Sequence, residues 1–132
     1  MKARDLMQSD VITVREDASV GQLCDIFQAK HVNGVPVLGQ EGDLVGIVSE
    51  EDVLFGAMGI PEEDAAASTT RVGDIMTSPA ICATEETDVV ELCRMMWGMR
   101  IHHIPIVSGT RVTGIVSSLD LVRAVAEGAL RP

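Results

Sequence analysis

Two short stretches carry residue types with chemistry to offer: Ser49-Glu50-Glu51-Asp52 and Ser117-Ser118-Leu119-Asp120. Each follows an apolar run, Gly46-Ile47-Val48 or Gly114-Ile115-Val116, that reads as a buried strand. Each is followed by a helical apolar pattern. A strand that hands over to a helix leaves the first helical N–H groups unpaired and aimed at the turn. That turn can cap itself through its serine, or it can hold a polar ligand. An aspartate one turn in is placed to accept two hydrogen bonds from a vicinal diol such as a ribose. Elsewhere the familiar catalytic motifs are missing from the sequence. There is no Gly-x-Ser-x-Gly elbow, P-loop or His-Glu-x-x-His, and no cysteine paired by motif with a base. His31, His102, His103 and the three cysteines match no zinc spacing, so no metal site and no catalytic residue is assigned. The chain is expected not to be an enzyme.

The elements that must position these turns come in two copies. Ala3 to Leu38 falls on Val72 to Val107 at an offset of 69, and Gly46 onward falls on Gly114 onward at an offset of 68. Identical pairs include Asp5/Asp74, Met7/Met76, Ser9/Ser78, Leu23/Leu92, Cys24/Cys93, Pro36/Pro105, Ser49/Ser117 and Asp52/Asp120. Within each copy a short helical turn (3–7, 72–76) precedes a short strand (11–14, 80–83). Ser19 with Gln22, and Asp88 with Glu91, are capping-box patterns that open a helix. Its apolar stripe is Val20, Leu23, Cys24 and Phe27, or Val89, Leu92, Cys93 and Met96. This places the helix cysteines in the core, and Cys82 on its strand reads the same way. Two strands follow, 35–38 with 44–48 and 104–107 with 112–116, joined by hairpin turns. Pro36 and Pro105 cannot donate a ladder hydrogen bond, which points to a strand start or edge. A last helix spans 53–58 or 121–127. The unit is β-α-β-β-α taken twice, an α+β fold, loosely α/β. The expected division is 1–58, an acidic Ala/Ser/Thr-rich linker at 59–70, and 71–128.

Composition narrows the function. Half-chains of this size have marginal cores, so two halves sharing a face is the expected solution. With two Phe, one Trp and no Tyr, the core must be aliphatic and Met-filled, and stacking platforms for single-stranded nucleic acid are missing. A net charge of −10 disfavours nucleic acid and anionic membranes as partners. No apolar run reaches transmembrane length and the N-terminus lacks a signal-peptide core, so a cytoplasmic protein is expected. An odd cysteine count agrees with a reducing compartment.

Three features together carry a family resemblance. They are Asp5-Leu6-Met7-Gln8 with its copy Asp74-Ile75-Met76-Thr77, the Val35-Pro36-Val37 and Ile104-Pro105-Ile106 segments, and Gly-Ile-Val-Ser-x-x-Asp in both halves. In their order and spacing they resemble a tandem pair of cystathionine-β-synthase-type (CBS) domains, the Bateman module, over about residues 2–57 and 71–127. The resemblance implies two repeats packed about a pseudo-two-fold axis, with two clefts that often take AMP, ADP, ATP or S-adenosylmethionine. The aspartate would bind the ribose hydroxyls, with the serine near ribose or phosphate. One cleft would use Ser49 and Asp52 with Ile81, Ile101 and His102; the other would use Ser117 and Asp120 with Ile12, Val32 and Asn33. His102, three before the proline, takes a phosphate-facing position and His103 can assist, which favours the first cleft for a charged phosphate. Few basic residues lie in either cleft, which favours a monophosphate or nucleoside over a triphosphate. The resemblance also implies a homodimer. Met95, Met96, Trp97 and Met99 on one helix, with Leu119, Leu121, Val122 and Val125 on the last, would form its surface. The expected role is a stand-alone regulatory module that binds an adenosine-type nucleotide and passes the signal to a partner protein. The alternative is a ligand-free scaffold or dimerisation module.

Overall fold

The structure, a computed structural model, describes residues 1–57 and 70–130. The linker expected at 59–70 therefore lies outside the described residues except for Thr70, as does Met58 at the expected end of the first repeat's last helix. The elements in chain order are α1 (Ala3–Leu6), β1 (Val14–Arg15), α2 (Val20–Lys30), β2 (Gly34–Leu38), β3 (Leu44–Ser49), α3 (Glu50–Ala57), α4 (Val72–Ile75), α5 (Val89–Met99), β4 (His103–Ser108), β5 (Arg111–Ser117) and α6 (Ser118–Ala126). Each repeat has the expected mixture of helix and strand.

Compact units and sequence repeats are cut differently. One unit joins Met1–Val11 to Ile81–Pro132, and the other is Ile12–Ala80. The leading segment of each repeat thus completes the fold of the other. In the Ile12–Ala80 unit, Val72 of α4 is fully buried among Val14, Leu23, Val35, Val37 and Val48. Its N–H donates to the Ala18 carbonyl at 2.8 Å. In the other unit Ala3 of α1 is fully buried with Val89, Leu92, Ile104, Ile106 and Val116, and its N–H donates to the Thr87 carbonyl at 2.8 Å. The repeated Asp5 and Asp74 explain these short helices. Each carboxylate accepts from the backbone N–H of the N-cap residue, Lys2 at 2.7 Å or Arg71 at 2.9 Å, which pairs a donor that would otherwise be orphaned.

The Ile12–Ala80 unit carries a sheet in the order β1-β2-β3, with β1 and β2 parallel and β2 and β3 antiparallel. The other unit carries the β4-β5 hairpin, with Ala83 bridging parallel to Ile106 in place of a strand at 80–83. Past β3, Thr77 pairs with Ile47; past β5, Gln8 pairs with Ile115. These outer pairings settle where the prolines go. Ile47 spends both its backbone N–H and its carbonyl on Thr77, so Pro36, opposite Ile47, faces β3 with no hydrogen bond to make. Pro105 opposite Ile115 repeats this arrangement. Both prolines are buried inside strands rather than at a strand start, in pairs that need no donor; Pro36 lies on the central strand β2, whereas Pro105 keeps the expected edge position, on β4 of the two-stranded sheet with only the Ala83 bridge beyond it.

Gly46 and Gly114 permit the close approach of the leading segments. A Cβ on Gly46 would sit 2.8 Å from the Thr77 carbonyl oxygen, and one on Gly114 would sit 3.2 Å from that of Gln8. The helix stripes are narrower than expected. Leu23 is buried on α2 and Val89, Leu92 and Met96 on α5, but Cys24 and Cys82 are exposed and Cys93 is only half-buried. Leu23 alone faces the centre of its core, with Ile26 and Phe27 on its flank, so the neighbouring cysteine turns outward. Ser19 and Gln22 form the expected capping box, whereas Asp88 accepts from Val90 N–H at 2.9 Å and Glu91 does not close a box.

Candidate functional site

The turn at the end of β3 is held by its own side chains. Asp52 Oδ2 accepts from Ser49 N–H at 2.9 Å and from the Ser49 hydroxyl at 3.3 Å. Its Oδ1 accepts from the Thr77 hydroxyl at 3.3 Å. Glu50 N–H donates to the Asn33 carbonyl at 2.9 Å, which ties the segment before β2 to the first turn of α3. Asn33 is exposed, and Val32 and Ile12 are half-buried against the same core. Glu50, Glu51 and Asp52 place three carboxylates in the first turn of α3, where they complement the helix dipole.

The turn at the end of β5 repeats the skeleton. Asp120 Oδ2 accepts from Ser117 N–H at 2.8 Å, and Asp120 N–H donates to the Ser117 hydroxyl at 3.2 Å, a complete capping box. Asp120 is the one buried charged residue among those described, at 6% exposure. Two further donors reach its Oδ1: Gln8 Nε2 at 3.1 Å and Arg123 Nη2 at 3.3 Å. Ser118 N–H donates to the His102 carbonyl at 2.8 Å, the counterpart of the Asn33 contact. His103 opens β4 opposite Ser117. His102 is exposed, Ile101 packs half-buried on this unit's core, and Ile81 is 39% exposed.

Within the Ile12–Ala80 unit Asn33, Ser49 and Asp52 meet at one turn, with Val32 and Ile12 packed on that unit's core, although the resemblance groups Asn33, Val32 and Ile12 with Asp120. Within the other unit His102, His103, Ser117 and Asp120 meet at one turn, with Ile101 in the core behind. Sequence reasoning left Gln8, Thr77 and Arg123 without a role, although each touches one of the two aspartates. A signal existed. Gln8 and Thr77 are repeat equivalents next to the conserved-in-repeat Met7/Met76 pair, and Arg123 lies three residues past Asp120, within reach on a helix.

The expected apolar face divides. Met96 and Leu121 are buried and Met95 packs half-buried, because α5 and α6 use them for the core. Trp97 (88% exposed), Met99, Leu119, Val122 and Val125 stay in solvent. In the other unit Leu54 and Phe55 of α3 do so. No helix among the described residues is long and apolar enough to cross a membrane. No group of three or more His, Cys, Asp or Glu among them is placed to hold a metal ion.

The family model for the CBS domain matches residues 3–59 and 72–127, and the chain belongs to that family, with two repeats. Among solved structures it is similar to the CBS domain pair of protein MJ0100 in complex with 5′-methylthioadenosine and S-adenosyl-L-methionine. That match has a TM-score of 0.83 and 26% identity, over 97% of this chain and 98% of that one. It is also similar to the CBS-domain protein ATU1752 from Agrobacterium tumefaciens (TM-score 0.83, 28% identity, 94% and 98% covered). Among curated proteins it is 32% identical over 123 residues to an inosine-5′-monophosphate dehydrogenase of Methanocaldococcus jannaschii, covering 92% of this chain and 23% of the relative. Protein MJ1225 of the same organism is 28% identical over 120 residues, with 91% and 41% covered. The chain thus spans less than half the length of these curated relatives.

Proposed function

We propose that this chain is a regulatory, non-catalytic module that binds an adenosine-type nucleotide or nucleoside at its Ser-x-x-Asp turns. The observation that carries the reading is the paired aspartate geometry. In each unit a carboxylate sits at the mouth of a strand-to-helix turn, fixed by the serine N–H, with an oxygen directed at exchangeable hydroxyl, amide or guanidinium donors. A ribose diol offers the same donor chemistry. The likeness to the MJ0100 pair, whose structure holds two adenosine compounds, supports that class of ligand. S-adenosylmethionine, methylthioadenosine, AMP, ADP and ATP are the candidates, and the residues grouped with each turn by the family resemblance belong to this proposal.

Ligand binding would select one arrangement of the module, and a partner protein, on this or another chain, would read the change. The exposed Trp97, Met99, Leu119, Val122 and Val125 favour association as a homodimer through α5 and α6. A thermal-shift screen tests the ligand reading. A compound at 100 times its dissociation constant raises stability by about 2.7 kcal/mol. That is several degrees for a protein of this size. No shift with any of the five compounds would favour a ligand-free scaffold. Sedimentation of the wild type beside Trp97→Ser tests the association: a dimer that the substitution dissociates is the expected result, and a monomeric wild type would refute it.

A further inference from the structure

The two turns share a skeleton and differ in what holds the aspartate. The difference falls on repeat-equivalent positions. Gln8 stands where the other repeat has Thr77, and Arg123 stands where it has Phe55. Around Asp120, the Gln8 amide and the Arg123 guanidinium both donate to Oδ1, and Oδ2 takes the Ser117 N–H. The Asp120 side chain is 7% exposed. Its charge is met by the Arg123 guanidinium at 3.3 Å. Around Asp52, Oδ1 receives the Thr77 hydroxyl, a neutral rotor that can turn away, and Phe55 carries no donor and is 73% exposed. Asp52 is also half-buried rather than buried. A ribose diol arriving at Asp120 must displace an amide and a charge-assisted hydrogen bond, whereas at Asp52 it meets two long, neutral hydroxyl contacts, from Thr77 on Oδ1 and Ser49 on Oδ2.

We propose that Asp52 is the competent ribose acceptor of this chain and that Gln8 and Arg123 act as internal occupants that close Asp120. The inference rests on the adenosine reading above. One adenosine-type ligand binds per chain with the higher affinity, and the Asp120 turn is silent or much weaker. Arg123 acts through Asp120 and is a positioning residue.

The test is isothermal titration calorimetry of the full chain with 5′-methylthioadenosine and with AMP, each variant first checked for folding by its melting temperature. The wild type should show one tight site per chain. Asp52→Asn should weaken it by roughly tenfold or more, the loss expected for hydrogen bonds to a charged group. Asp120→Asn should weaken it clearly less than Asp52→Asn does. The double variant Gln8→Thr/Arg123→Met, which gives Asp120 the donor set of Asp52, should add a second site of comparable affinity. Arg123→Met alone should recover part of it. Two equal sites in the wild type, or a loss with Asp120→Asn as large as with Asp52→Asn, would overturn the proposal. So would binding by the double variant alone, because Asp52 would then not be open. If neither compound binds any of these proteins, the adenosine reading falls and this inference falls with it.

Discussion

Replacing Gly46 with alanine tests whether the leading segment of the second repeat completes the fold of the first. The new Cβ would lie 2.8 Å from the Thr77 carbonyl oxygen, a backbone atom. Ordinary C···O contacts begin near 3.3 Å, so the two backbones must part by about 0.5 Å. Two hydrogen bonds hold them together at that point, Ile47 N–H to the Thr77 carbonyl at 3.0 Å and Thr77 N–H to the Ile47 carbonyl at 2.8 Å. Overpacking of this kind costs about 1–3 kcal/mol. Stretching one or both hydrogen bonds adds about 0.5–1.5 kcal/mol each. The lower chain entropy of alanine offsets about 0.5–1 kcal/mol. The net destabilisation is about 2–3 kcal/mol, on the order of 10 °C in melting temperature for a unit of this size. Gly114→Ala is the internal control. At both sites a flexible methionine sulfur is the nearest atom, Met76 at 2.7 Å and Met7 at 2.5 Å, but at Gly114 the backbone oxygen, that of Gln8, is 3.2 Å away, so the cost should be about 1 kcal/mol. Urea and thermal unfolding followed by circular dichroism give both values. Gly46→Ala as stable as wild type, or less costly than Gly114→Ala, would refute the packing argument.

Three further outcomes follow from the same geometry. Val72→Ala, which removes two methyl groups from a fully buried position, should cost about 2 kcal/mol by urea unfolding and lower amide-exchange protection in β2 and β3; unchanged exchange there would contradict the segment exchange. Ser19→Ala removes the N-cap acceptor for Gln22 N–H and should cost about 1 kcal/mol in the same assay, with no measurable loss counting against the cap. Asp88 accepts from Val90 N–H, and this bond, helped by the nearby Lys2, holds its carboxyl below the usual carboxylate range. A lowered folded pKa stabilises fully above the unfolded value of about 4 and is lost as pH falls through the folded value. The melting-temperature gap between wild type and Asp88→Ala should therefore be open at pH 7 and narrow below about pH 4, and a gap that widened in acid would contradict the assignment.

Much of this architecture is legible in the sequence because the repeat supplies two independent readings of each element. Val20, Leu23 and Phe27 place a helix, and Val89, Leu92 and Met96 place it again. The Ser-x-x-Asp turns are visible for a local reason. Serine, aspartate and the N–H groups they satisfy lie within one helical turn, so spacing alone determines the contact. What escapes is what depends on distant pairing. Nothing near Gln8 or Thr77 indicates that each adds to the sheet of the other repeat, because that choice is made across the chain by Ala3 and Val72. The position of Pro36 inside a strand has the same origin: it is permitted by Ile47 turning to Thr77. Likewise the resemblance puts Leu121 on the dimer surface, whereas α6 turns it into the core. The donors that distinguish Asp120 from Asp52 were hidden for both reasons, Gln8 through distant pairing and Arg123 as one polar residue among several on its helix.

The central claim is that an aspartate carboxylate at a strand-to-helix turn accepts the hydroxyls of a ribose. It is tested most directly by comparing adenosine with 2′-deoxyadenosine by calorimetry on the wild-type chain. The account predicts that removing the 2′-hydroxyl weakens binding by about tenfold or more, since the charged Asp52 acceptor loses a donor. It also predicts that the difference disappears in Asp52→Asn. Equal affinity for the two nucleosides in the wild type would contradict the claim, and the turns would then be helix caps and nothing more.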